Sequence, residues 1–214
     1  MKDLFKIAYI ALPLAPWLAF MLSAMGDAAY WFADNYTAAY SASTLLGMAA
    51  FAWAAGQPLL AARPLGMDSW MGRASATGFH VLMGFLSPLA ALAHMVLKLF
   101  YLGYPLEAQG WFGLGALIVM AWSGLGAWLL MAPGPAKRDG PVKALRERLK
   151  AKGMGYQRAR AIHNAVALAY LGMTSHAALA SSLDAAPAAR WALLGWLALS
   201  LAVHVRYRIR GRRP

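Results

Sequence analysis

Residues 74–97, ASATGFHVLMGFLSPLAALAHMVL, run without a charged side chain yet hold two histidines, His80 and His94. At about 1.5 Å per residue such a stretch crosses the roughly 30 Å hydrocarbon core of a bilayer as a helix. An ionisable group at that depth is costly without a partner, so each histidine marks a candidate site. A second apolar stretch, residues 161–183, repeats the pattern with His163 and His176. Thirteen residues separate the first pair and twelve the second.

Working outward, uncharged stretches also cover residues 7–26, 35–62, 108–136 and 191–205. The expected fold is therefore an all-α membrane protein, a six-transmembrane-helix bundle with helices near 7–26, 38–57, 77–100, 111–132, 161–182 and 190–205. The stretch after Lys2 and Lys6 is too long and uniformly apolar for a signal-peptide core and is read as the first helix. Residues 1–214 make a single membrane domain, since loops this short leave no room for a soluble flavin or NAD(P)H domain.

The basic residues orient the bundle, because basic loops stay on the cytoplasmic side. With both termini cytoplasmic, 18 of the 20 Lys and Arg fall inside, and only Lys98 and Arg190 lie outside beside Asp27, Asp34, Glu107 and Asp184. A bacterial inner membrane is the expected location. The placement of the basic residues also explains the net charge of +12 without nucleic acid, since the charge sits in loops and a tail flanking membrane spans. The segment from Lys137 to Arg160, with nine basic and two acidic residues, suits anionic membrane lipid or an acidic soluble protein. The chain has no cysteine, which excludes disulfides, iron–sulfur clusters and thioether-attached haem.

In a six-helix topology the third and fifth helices run parallel, so the first histidine of one faces the first of the other. His80 with His163 then forms an inner pair, and His94 with His176 an outer pair about 20 Å away. A single membrane histidine most often makes an interhelical hydrogen bond, but four at matched levels call for one shared explanation. Haem iron held by histidine on both faces supplies it, and two b-type haems are expected, or one if a pair is not used. Arg73, Arg158 and Arg160 are candidate propionate partners for the inner haem and Lys98 for the outer. One difficulty is angular: at about 100° per residue, His163 and His176 end up some 140° apart around an ideal helix, which calls for an irregularity, expected near Gly172–Thr174. Pro88 predicts a kink at the level of Gly84. Met83, Met95, Met173 and Tyr170 read as packing residues that could line a cofactor, and His204 as interfacial.

These residues resemble the ferric reductase-like transmembrane domain shared by ferric reductases and NADPH oxidases. The likeness rests on the two histidine pairs, on Ala62-Arg63-Pro64-Leu65-Gly66-Met67 before the third helix, and on His80-Val-Leu-Met-Gly84. Ile162-His163-Asn164 with His176 is similar to the stand-alone MsrQ-type haem subunits of periplasmic methionine sulfoxide reductase systems. The resemblance implies a haem-binding electron-transfer subunit of an oxidoreductase, with no catalytic side chain of its own. Electrons would come from a separate cytoplasmic flavin reductase or from quinol and pass to ferric iron, dioxygen or a periplasmic protein acceptor. The alternatives are a quinone-linked cytochrome b anchor of a dehydrogenase, and a non-redox channel or assembly protein whose histidines only relay protons or pack.

Overall fold

A computed structural model describes residues 1–24, 28–64, 67–131 and 140–210. Met25 and Asp27, Leu65 and Gly66 of the entry segment, the basic Lys137 and Arg138, and the tail Arg212 and Arg213 lie outside the described residues. The chain is all helical, with no strand among the described residues: α1 (Lys2–Ala11), α2 (Leu14–Ala24), α3 (Asn35–Ala55), α4 (Gln57–Ala62), α5 (Met67–Trp70), α6 (Arg73–Val96), α7 (Ala108–Met131), α8 (Pro141–Ala151), α9 (Tyr156–Asn164), α10 (Val166–Leu179) and α11 (Pro187–Arg210).

Among the described residues, five helical stretches are long and apolar enough to cross a membrane: Lys2–Ala24, Asn35–Ala62, Arg73–Tyr101, Ala108–Met131 and Pro187–Ile209. They correspond to five of the six expected helices, with ends displaced by a few residues. The other expected helix, 161–182, is two pieces, α9 and α10, hinged at Ala165. Ala165 has ψ −11°, and its N–H is shared between the carbonyls of Ala161 and Ile162, so the turn tightens and the helix restarts. No proline or glycine marks the place, which is why hydropathy alone reads straight through it.

Local chemistry sets the other boundaries. Asp34 caps α3 in a reciprocal capping box with Thr37, whose backbone N–H bonds the Asp34 carboxylate at 2.7 Å and lowers its pKa below the ordinary range. Arg63 ends α4 in the left-handed conformation at φ 51°, turning the chain toward α6. Past Val96, α6 widens into a π-helical turn, Leu97–Tyr101, a form of irregularity often found at functional sites.

The outward face of α6 carries Leu82, Phe85, Leu89, Leu92 and Val96, exposed at spacings of three and four residues. Such a stripe belongs against lipid rather than water. Inside, α3 packs along α6, while α9 and α10 pack along α7. The histidine-bearing helices α6 and α10 are not among the closely packed pairs, so each leans on a neighbour and leaves a gap toward the other. Small residues permit the close crossings, as is usual between membrane helices. A Cβ on Gly172 would stand 3.0 Å from the Phe112 carbonyl oxygen and 3.2 Å from the Ala116 methyl. We therefore expect Gly172→Val to force α10 off α7 and cost about 1–3 kcal/mol. Thermal unfolding in detergent checks this, and an unchanged melting temperature would contradict the packing.

A paired-histidine candidate site

The gap between α6 and α9–α10 is bridged at two levels by imidazoles. The ring centres of His80 and His163 are 6.2 Å apart with planes at 88°, and those of His94 and His176 are 6.4 Å apart at 79°. The structure thus brings together first with first and second with second. On α6 one helix serves both levels, since fourteen residues return a side chain close to the same face. On the other side the phase is restored by the Ala165 hinge. The irregularity expected near Gly172–Thr174 lies at Ala165 instead, and α10 runs unbroken from Val166 to Leu179.

The neighbouring helices hold these rings by their Nδ1 atoms. His94 Nδ1 lies 2.7 Å from the Ser43 carbonyl oxygen on α3, and His176 Nδ1 lies 2.7 Å from the Gln109 carbonyl oxygen on α7. A carbonyl can only accept, so Nδ1 carries the proton in both rings and Nε2 keeps its lone pair. Each acceptor is followed one turn later by a glycine under the ring. A Cβ on Gly47 would stand 2.9 Å from His94 Nδ1, and one on Gly113 3.0 Å from His176 Nδ1.

Serine hydroxyls add a second repeated feature. Ser43 Oγ lies 3.1 Å from His94 Nδ1 and donates to the His94 carbonyl, and Ser123 Oγ on α7 lies 3.3 Å from His163 Nδ1 and donates to the His163 carbonyl. None of Ser43, Gly47, Gln109, Gly113 or Ser123 emerged from the sequence as a site residue. Their only signal is a small or polar residue recurring at four-residue spacing within apolar helices.

A cavity of about 490 Å³ opens at the His94–His176 level, lined among others by Gly47, Met95, Gly113 and Met173. Lys98 also lines it, presented from the π-helical turn with its ammonium 3.9 Å from the centre of the Tyr40 ring and 4.4 Å from that of Tyr104. Lys98 is thus fixed beside the outer pair.

Arg158 and Arg160 are exposed, and Arg73 is exposed and ion-paired with Asp68 at 3.7 Å. Arg63 is turned inward. Its side chain is only 17% exposed, it pairs with Asp68 at 3.3 Å, and it donates to Thr77 Oγ1 at 2.9 Å, one turn before His80.

Met83, Met173 and Tyr170 are buried in the packing clusters. His204 Nδ1 bonds the Pro58 carbonyl at 3.1 Å, tying α11 to α4. Pro88 leaves the Gly84 carbonyl without its helical donor, and that oxygen faces Gly124 on α7, 3.7 Å from where a Cβ would stand.

Two imidazoles whose Nε2 lone pairs are free can serve as a pair of ligands to one metal. An imidazole nitrogen binds a first-row metal at about 2.0 Å and its ring centre lies about 1.1 Å further, so coaxial ligands place their ring centres roughly 6.2 Å apart. The observed separations fit that spacing. Among the described residues no three His, Asp or Glu side chains gather to hold a metal ion. Two ligands per level suit a metal whose other positions are filled by a macrocycle. No family model, curated protein or solved structure matches the chain. We expect ¹⁵N-histidine spectra of cofactor-free protein to show His94 and His176 as Nδ1–H tautomers. An Nε2–H tautomer at either would contradict the carbonyl contacts.

Proposed function

We propose that the chain is a di-haem b-type membrane cytochrome of the ferric reductase-like kind, carrying electrons across a bacterial inner membrane. The observation that carries this reading is the pair of imidazole couples at metal-ligand spacing, at two depths of an apolar bundle. His80 and His163 would hold the inner haem, His94 and His176 the outer. Bound between two imidazoles, haem iron has no open position and exchanges single electrons.

The protein's own residues set the conditions for that exchange. The carbonyls of Ser43 and Gln109 hold the outer rings in the tautomer that leaves Nε2 free, while the serine hydroxyls steady ring and backbone together. Lys98 and Arg63 supply positive charge beside the outer and inner levels for carboxylate side groups. In this reading the hinged α9–α10 segment would be the sixth crossing and both chain ends would be cytoplasmic, in keeping with the basic loops. The basic α8 then lies on the donor side, available to anionic lipid or an acidic flavin reductase, with quinol as the other donor. Ferric iron, dioxygen or a periplasmic protein would accept electrons outside.

Purified protein should show a reduced low-spin b-type spectrum and two haems per chain by pyridine haemochrome. A protein that stays colourless after haem-supplemented expression would reject the reading in favour of a non-redox membrane role. His80→Ala and His163→Ala should each remove the same haem, and His94→Ala and His176→Ala the other. Four variants with unchanged haem content would overturn the ligand assignment. Gly113→Val should push the His176 ring from its seat and lower occupancy of the outer haem alone, read as a fall from two haems per chain toward one.

A further inference from the structure

Three of the four site imidazoles have an oxygen at Nδ1, and the fourth does not. His80 Nδ1 is buried without a hydrogen-bond partner. A complementary orphan lies on the neighbouring helix, where Gln57 Oε1 is also buried without a partner. Helix α4 packs on α6, and Gln57 Oε1 lies 4.0 Å from the point where a Cβ on Gly84 would stand, one turn beyond His80. The other end of the amide is occupied, since Gln57 Nε2 donates to the Trp53 carbonyl at 3.4 Å. The oxygen is therefore the end left for α6, and Gly84, by having no side chain, leaves room for it to move.

Buried polar groups without partners are rare in native proteins, and two complementary ones on packed helices answer each other. We propose that Gln57 is the positioning residue of His80, its side chain rotating so that Oε1 accepts the Nδ1 proton when Nε2 serves as a metal ligand. The proposal rests on the haem reading of the His80–His163 pair. In it a side-chain amide does for His80 what backbone carbonyls do for His94 and His176. An acceptor on Nδ1 makes an imidazole a stronger electron donor through Nε2, which favours the oxidised metal. Gln57 thereby lowers the midpoint potential of the inner haem and leaves the outer one alone.

Redox titration of the purified full chain, followed by haem absorbance, tests this in wild type, Gln57→Leu and Gln57→Glu. The expected result is an upward shift of one midpoint in Gln57→Leu and a downward shift of the same midpoint in Gln57→Glu, with two haems retained. Leucine carries no charge, so its shift reports the lost acceptor. In the His80→Ala background, which should keep only the outer haem, Gln57→Leu should shift nothing. Unmoved midpoints in Gln57→Leu, or an equal shift of both haems, would overturn the assignment. If Gln57→Leu loses the inner haem, its retention in Gln57→Glu supports the proposal and its loss in both variants overturns it. A wild-type protein without haem removes the underlying reading, and that outcome is visible before any variant is made.

Discussion

The constraint on which the site depends is the bond from an imidazole Nδ1 to an oxygen on the adjacent helix. Histidine in an apolar bundle must find a partner, and at the outer level each ring finds a helix carbonyl at 2.7 Å. That single contact fixes the tautomer, leaves the lone pair on Nε2 and directs it away from the supporting helix. Because α3 supports His94 while α7 supports His163 and His176, the rings are driven toward each other across a gap that the two histidine-bearing helices do not themselves close. Glycine one turn after each carbonyl acceptor keeps the ring's seat open.

The two levels are built differently. Both outer rings rest on backbone carbonyls, whereas the inner pair has a serine hydroxyl at 3.3 Å on His163 and no partner on His80. Backbone carbonyls are immovable elements of a helix, and side-chain acceptors can turn. The inner level is therefore the adjustable one, with Arg63 and Asp68 close to it. The outer level is the more rigid, with Lys98 held between two tyrosine rings.

Much of the arrangement is legible in the sequence, for definite physical reasons. Hydropathy marks the long helices because a bilayer demands about 20 apolar residues, and parallel helices of known rise place His80 level with His163 and His94 level with His176. The Ala165 hinge is not legible, since it only adds a tighter hydrogen bond beside the helical one and no proline or glycine marks it. Nor is Arg63, which reads as a loop cation until its left-handed backbone turns the guanidinium toward Thr77. The supporting oxygens of Ser43 and Gln109 are backbone atoms and leave no mark of residue type. The recurring glycines mark the seats only once the rings are seen above them.

The perpendicular setting of the rings is a geometry that edge-to-face packing also favours, and it is the feature that two-sided ligation would register directly. If the pairs hold haem iron, imidazoles crossed at 88° and 79° would leave its two d orbitals of π symmetry nearly equal in energy, and unquenched orbital angular momentum would make the ferric signal strongly anisotropic. The decisive measurement is low-temperature electron paramagnetic resonance of the oxidised protein. Two low-spin ferric signals, each with one extreme g value, are predicted. Rhombic low-spin signals typical of parallel imidazoles, a high-spin signal or no haem signal would contradict the paired-imidazole account.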